Sequence, residues 1–270
     1  MAVGQLQEQL VETSSIKQHI ATAGNTTSRP VILLHGLYDR WESWASVLPD
    51  LARHCRAIAP DLRGHARSDW PEQGYLLADY AGDVIALMDA LNIQRSVLVG
   101  HSLGSLVAVW AASRHPDRID AVILEDPPLE MGEEADQFLE YQLAIKRASP
   151  EEALQMVRAL EFSADDDVNR TFVEWLRDAS DGPALETLEQ YRAGRRPDFI
   201  AALDQVQCPS LILQGDPNTG GMLSDDGAAR GLEQLKHGSL KKFEGSSHFI
   251  HLDQSGEFVT AIAEYLQHRD

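Results

Sequence analysis

Residues 100–104 read Gly-His-Ser-Leu-Gly, which seats a serine between two glycines where an apolar run gives way to an Ala/Val/Leu-rich one. A G-x-S-x-G turn between a strand and a helix forces the serine backbone into an unfavourable conformation and thrusts its Oγ outward. Only small neighbours make that conformation tolerable, and Gly100 and Gly104 supply them. The chemistry implied is nucleophilic attack by Ser102 on a carbonyl. Attack creates an oxyanion, which calls for preorganised, uncharged donors. His35-Gly36 follows the apolar run 31–34, and Gly36 permits a turn that aims the N–H of Leu37 at such an oxygen. The N–H of Leu103, next after the serine, is the second donor. His35 itself reads as a structural histidine bonding nearby loops. The general base must reach Ser102 from a loop at the same sheet edge. In "FEGSSHFIH", His248 stands directly after a run of small residues, and His251 ranks second because it lies deeper toward the last helix.

Composition bounds the partners. The chain has 270 residues, 43% apolar and 24% charged, with a formal net charge of −19. That charge repels phosphate backbones, so nucleic acid is excluded as a partner. Acidic clusters such as "EEADQ" and "ADDD" read as solvated faces. No apolar run approaches the roughly 18 residues needed to cross a bilayer, so no membrane partner is expected. The stretch "MAVGQLQEQLVETSS" lacks a basic start followed by an apolar segment, and Cys55 and Cys208 lie far apart as two buried hydrophobes. Both features fit a reducing, cytoplasmic location. No metal-binding, P-loop or dinucleotide motif appears, so no cofactor or metal is expected. The oligomeric state is left open.

The elements that must position these residues form an α/β pattern. Residues 31–34, 57–59, 96–99, 121–124 and 210–213 are short, near-continuous apolar runs, as in a parallel sheet covered on both faces. A weaker run, 239–243, completes the set, and 5–22 holds an N-terminal hairpin. Helices are expected over 75–91, 103–115 and about 256–267. From Pro127 to about Val206 no strand is evident, and amphipathic segments fall at 133–147, 150–161, 168–179, 183–192 and 197–204. The expectation is a core over 1–126 and 207–270, with an all-helical lid over 127–206 inserted before the penultimate strand. Aromatic residues of the insertion (Phe138, Tyr141, Phe162, Phe172, Trp175, Tyr191, Phe199) either line a pocket or join the helices to one another.

Taken together, His-Gly after one strand, "APDLRGHARSDWP" after the next, the serine turn, the helical insertion and the terminal histidine resemble the α/β-hydrolase superfamily over nearly the whole chain. The resemblance implies a mostly parallel sheet flanked by helices and a Ser-acid-His triad in that order. Ala66 stands in "RGHARS" where many relatives carry glycine, which implies a slightly altered turn. The acid is the larger departure. In most members it lies three residues beyond a glycine after the post-lid strand, and here that position, beyond Gly215, is Asn218. A neutral amide cannot stabilise an imidazolium on His248. Some branches, including haloalkane dehalogenases and fungal zearalenone lactonases, take the acid from the end of the strand before the lid. Here that strand ends in Glu125-Asp126, whose side chains alternate in direction. Asp126 is chosen by its offset from the strand, and Asp216 is the alternative.

Dehalogenases and epoxide hydrolases of this fold use an aspartate at the elbow, and this chain has Ser102. The expected function is hydrolysis of a small, largely apolar ester or lactone through an acyl-enzyme. One alternative is carbon–carbon bond hydrolysis, with a substrate carboxylate met by Arg147, Arg158, Arg192, Arg195 or Arg196. Another is a ligand sensor that keeps the triad but turns over slowly.

Overall fold

A computed structural model describes residues 6–130, 132, 134–160 and 166–267. Phe162, one of the aromatic residues named above, lies outside them. The central sheet has eight strands: β1 (Gln7–Glu12), β2 (Lys17–Ala23), β3 (Pro30–Leu34), β4 (Arg56–Pro60), β5 (Ser96–His101), β6 (Ile119–Glu125), β7 (Ser210–Gln214) and β8 (Gly238–Lys242), in the spatial order β1-β2-β4-β3-β5-β6-β7-β8. The β1–β2 hairpin and the β2–β4 pair are antiparallel, and every pair from β4 to β8 is parallel. All the expected strands are present. The weak run at 239–243 forms an edge strand with exposed positions, which explains its weak apolar signal.

The parallel strands β3 to β7 are buried on both faces and alternate strictly between two cores. Ile32, Leu34, Leu98, Val122, Leu124 and Ile212 point to one side. Val31, Leu33, Val97, Val99, Ile123 and Leu213 point to the other. This is the period of two of extended chain, with apolar residues at both phases. The helices are α1 (Leu48–Leu51), α2 (Leu77–Ala90), α3 (Leu103–Arg114), α4 (Glu134–Arg147), α5 (Pro150–Ala159), α6 (Asp166–Arg177), α7 (Gly182–Arg192), α8 (Phe199–Ala202), α9 (Asp225–Gln234), α10 (Ile250–Asp253) and α11 (Ser255–Gln267). The first core is covered by α2 and α3, the second by α1 and α11.

Helices α4 to α8 form the segment between β6 and β7. Leu139, Leu143, Val157, Leu176 and Leu188 from α4–α7 make a third apolar cluster. Two core residues, Tyr38 and the half-buried Leu37, join it from the loop after β3. Phe199 and Ile200 of α8, by contrast, pack into the first core. Helix α9 was not evident from the sequence because "DDGAARGLEQ" holds two glycines, poor helix formers. One of them packs closely on the core: a Cβ on Gly231 would lie 2.9 Å from Leu129 Cδ1.

Candidate active site

Parallel register brings the carboxyl ends of four strands into line. Leu34 pairs with Gly100, His101 with Glu125, and Glu125 with Leu213. The residues that follow these ends therefore share one edge, where ligands of open parallel sheets bind. Backbone strain gathers there too. Tyr38, Ala66, Ser102 and Asp126 all have positive φ (61°, 42°, 51° and 40°), and non-glycine residues in that region mark over-determined, functional sites.

Ser102 is half-buried, with φ 51° and ψ −116°. Its N–H donates to the Glu125 carbonyl at 3.1 Å, and its own carbonyl accepts from Ser105 N at 3.0 Å. The glycines are obligatory. A Cβ on Gly100 would meet Gly104 backbone at 2.3 Å, and one on Gly104 would meet the Leu34 carbonyl oxygen at 2.0 Å. Ser105 is wholly buried and donates to the Gly100 carbonyl at 2.5 Å. It therefore braces the turn.

His248 lies on the loop after β8. Its Nδ1 donates to Asp126 Oδ2 at 2.7 Å, and its side chain is 13% exposed. Asp126 is fully buried, and its carboxylate also accepts the N–H groups of Gly215 (3.0 Å), Met222 (2.7 Å) and Leu223 (3.4 Å). The glycine-rich 220–222 segment thus serves to wrap backbone donors around this acid. Asp216 is turned elsewhere: it caps a short 3-10 turn, accepting from Asn218 N (2.9 Å), Asn218 Nδ2 (2.9 Å) and Gly245 N (3.0 Å). Those bonds hold its pKa below the usual carboxylate value. The structure joins His248 to Asp126 and not to Asp216 or Asn218.

A second pair sits beside the first. His251 Nδ1 donates to Glu125 Oε1 at 2.8 Å, and the His251 backbone N–H donates to the same oxygen at 2.8 Å. Both side chains have no exposure, and the His251 ring lies 4.3 Å from that of Trp44. Burial opposes a charge on His251, but the Glu125 carboxylate outweighs it and raises the pKa. Alternation along β6 is the signal that separates the two acids: Ile123 and Glu125 face the second core, while Asp126 turns the other way. His101 stands between the two histidines, its ring 4.5 Å from His248 and 5.2 Å from His251. Burial holds its pKa well down, aided by those neighbours. It is neutral, and its Nε2 donates to the His248 carbonyl at 3.0 Å, tying the histidine loop to the serine strand.

The loop after β3 is held just as firmly. His35 Nε2 accepts the Leu62 N–H at 2.9 Å, so Nδ1 carries the proton and donates to the Gly36 carbonyl at 2.8 Å. A trans peptide points its C=O and N–H in opposite directions. Fixing the Gly36 carbonyl therefore fixes the Leu37 N–H. Among the described residues, neither the Leu37 nor the Leu103 N–H has a hydrogen-bond acceptor. Gly36 packs on the serine turn: a Cβ there would lie 2.9 Å from His101 Nδ1 and 3.4 Å from Ser102 Cβ.

The arginines of the segment between β6 and β7 are engaged away from this cluster. Arg147 meets Asp181, Arg158 meets Asp166, Arg192 meets Glu140, Arg195 meets Gln190 and Arg196 meets Asp136. Among the described residues no group of three metal-ligating side chains converges, and no helix is long and apolar enough to cross a membrane.

This sheet order, with a strained serine after β5 and a histidine after β8, defines the class. Residues 29–255 match the family model described as alpha/beta hydrolase fold. The chain belongs to the α/β-hydrolase fold family. It is 38% identical over 122 residues to "Epoxide hydrolase 3" of Siraitia grosvenorii, a stretch covering 44% of this chain and 38% of that protein, well under two thirds of its length. It is 25% identical over 269 residues to "2-hydroxy-6-oxo-2,4-heptadienoate hydrolase" of Pseudomonas putida, covering 93% of this chain and 92% of that one. The enol-lactonase structure from Burkholderia xenovorans LB400 superposes with a TM-score of 0.80 at 19% identity, over 96% of this chain and all of that one (100%), a likeness of fold.

Proposed function

We propose that the protein is a serine hydrolase of carboxylic esters or lactones, with Ser102 as nucleophile, His248 as general base and Asp126 as the acid. The observation that carries this is the 2.7 Å bond from His248 Nδ1 to a wholly buried carboxylate, in a loop tied to the strand that bears the strained Ser102. With Nδ1 committed to Asp126, Nε2 is the nitrogen left to take the Ser102 proton. Ser102 Oγ bonds to the acyl carbon, and the Leu37 and Leu103 N–H groups receive the resulting oxyanion. His248 then protonates the leaving alkoxide as the C–O bond breaks, and Asp126 balances the transient imidazolium. Water, deprotonated by His248, attacks the acyl-enzyme, releases the acid and restores Ser102.

Serine at the elbow, rather than aspartate, argues against an epoxide-opening ester intermediate despite the relatives bearing that name. Lid arginines already engaged, four by carboxylates and Arg195 by Gln190, favour an uncharged ester or lactone over a carboxylate-bearing dienone. Helices α4–α7 act as the lid, and the substrate is a small, largely apolar molecule. A panel of esters and lactones of graded size, assayed beside Ser102→Ala, tests the reading. Repeated turnover that disappears in Ser102→Ala supports it. A single acylation that stalls supports a sensor, and undiminished turnover in Ser102→Ala sinks the nucleophile assignment.

A further inference from the structure

The helical insertion is joined at one corner to the loop that carries the Leu37 N–H. Between α6 and α7, residues 178–180 lie antiparallel beside residues 64–66. Ala66 N–H donates to the Asp178 carbonyl at 3.1 Å, Ser180 N–H donates to the Gly64 carbonyl at 2.6 Å, and His65 and Ala179 form a β-bridge. Lys146 of α4 donates to the Ala179 carbonyl and pairs with Asp181 at 2.8 Å. Arg40 pairs with Asp178 at 3.0 Å. The His65 side chain, fully buried, points back into the core: Nε2 accepts the Tyr38 N–H at 3.0 Å and Nδ1 donates to the Arg63 carbonyl at 2.8 Å. Tyr38 has φ 61°, a strained conformation for an aromatic residue. Something must hold it there. Its ring lies in the lid cluster, with Lys146 Nζ 5.7 Å from the centroid.

We propose that His65 is a positioning residue for the oxyanion-binding peptide, and that the lid corner 178–181 sets its place. This rests on the serine-hydrolase reading above. His35 fixes the peptide before Leu37 and His65 fixes the peptide after it, so the Leu37 N–H has one direction. The lid corner fixes the backbone of His65 itself. Seating of the lid and completion of the oxyanion site are therefore one event. The oxyanion exists only after attack, so loosening this clamp lowers kcat and leaves KM nearly untouched.

The test compares His65→Leu with His65→Gln, using kcat, KM and the affinity of an alkyl boronic acid, whose tetrahedral adduct on serine depends on the same donors. His65→Leu keeps the bulk without an acceptor and is expected to lose on the order of 10²-fold in kcat, as for a misplaced or missing oxyanion donor. Boronate affinity should fall alongside, with KM within about twofold. His65→Gln offers an amide oxygen to Tyr38 N–H and should regain roughly tenfold or more of that loss. Lys146→Met cuts the anchor from the lid side without entering the core and should lower kcat and boronate affinity by roughly 3- to 10-fold. Equal kcat in His65→Leu and His65→Gln overturns the proposal, as does wild-type kcat in His65→Leu. If His65→Leu does not fold, an unchanged kcat and boronate affinity in Lys146→Met overturns it. Ser102→Ala separates the two ideas: full turnover there removes the serine reading, whereas a dead Ser102→Ala beside a fully active His65→Leu removes this one alone.

Discussion

Two carboxylate–imidazole pairs stand side by side on one strand end and one loop. Glu125 and Asp126 are consecutive, His251 and His248 are three residues apart, and each imidazole reaches its partner through Nδ1 within 2.8 Å. Their surroundings differ. Asp126 takes three backbone N–H groups besides His248, and the His248 side chain keeps 13% exposure beside the serine turn. Glu125 and His251 have no exposure at all, and the His251 ring packs beside those of Trp44 and Phe258. The pairing chemistry is shared, so access decides which pair can exchange a proton with a substrate. The sealed pair can only hold the loop that carries the open one.

The sharpest way to break this contrast is at the acids. Asp126→Asn should lower kcat on the order of 10⁴-fold, the loss expected when a triad aspartate becomes an amide. It should also destabilise by roughly 1–3 kcal/mol, because an amide nitrogen must then face a backbone N–H at one of the two occupied oxygen positions. Rates normalised to folded protein and a melting curve check both. A normalised kcat near wild type would erase the distinction between the pairs. Glu125→Gln should do the reverse. Breaking a fully buried pair costs roughly 3–5 kcal/mol, a fall in Tm on the order of 10 °C, while kcat of the folded fraction stays within about tenfold. A Tm drop without rate loss sharpens the comparison, and a 10⁴-fold rate loss ends it.

The pH dependence of stability is smaller and carries a sign. Burial pulls His35, His65 and His101 down from 6.5, His65 to about 3. Unfolded, these groups bind protons as the pH falls below 6.5, and folded they do so only at lower pH. Their stabilisation is complete above 6.5 and is lost as pH falls through their folded values, about 3 for His65. His251, raised by Glu125, has the opposite sign: its contribution is present below 6.5 and is lost as pH rises through its folded value. Tm should therefore fall by several degrees from about pH 7 to about pH 5. Glu125→Gln should steepen that fall, because it removes the carboxylate that raises His251. A Tm that is flat or rises on acidification would contradict the buried, neutral state of the three.

The smallest effect belongs to Ala66, which occupies a left-handed conformation (φ 42°) where many relatives carry glycine. Relief of about 1–2 kcal/mol of strain, less about 0.4–1 for the freer unfolded chain, leaves Ala66→Gly stabilised by about 1 kcal/mol, or roughly 2–4 °C in Tm. If kcat drops as well, the loop that carries His65 needs that strain.

Strand positions, the helical insertion, the serine turn and the loop that bears His248 were legible from the sequence because each is written locally. Apolar runs of four or five residues make the strands, and glycines at 100 and 104 admit a bend that a Cβ forbids. The carboxylate partner of His248 was only half legible. Glu125, Asp126 and Asp216 all lie at strand ends, and the choice among them rests on where residues about a hundred positions away direct their N–H groups. The parts played by Tyr38, His65 and His251 left no local mark, because each depends on a partner brought by another strand or by the lid corner. The sequence by itself determined the serine turn, its glycines and the α/β alternation. Only the tertiary structure decided which carboxylate faces which histidine and which pair meets solvent, because register, burial and backbone donors exist only once distant segments share one sheet edge.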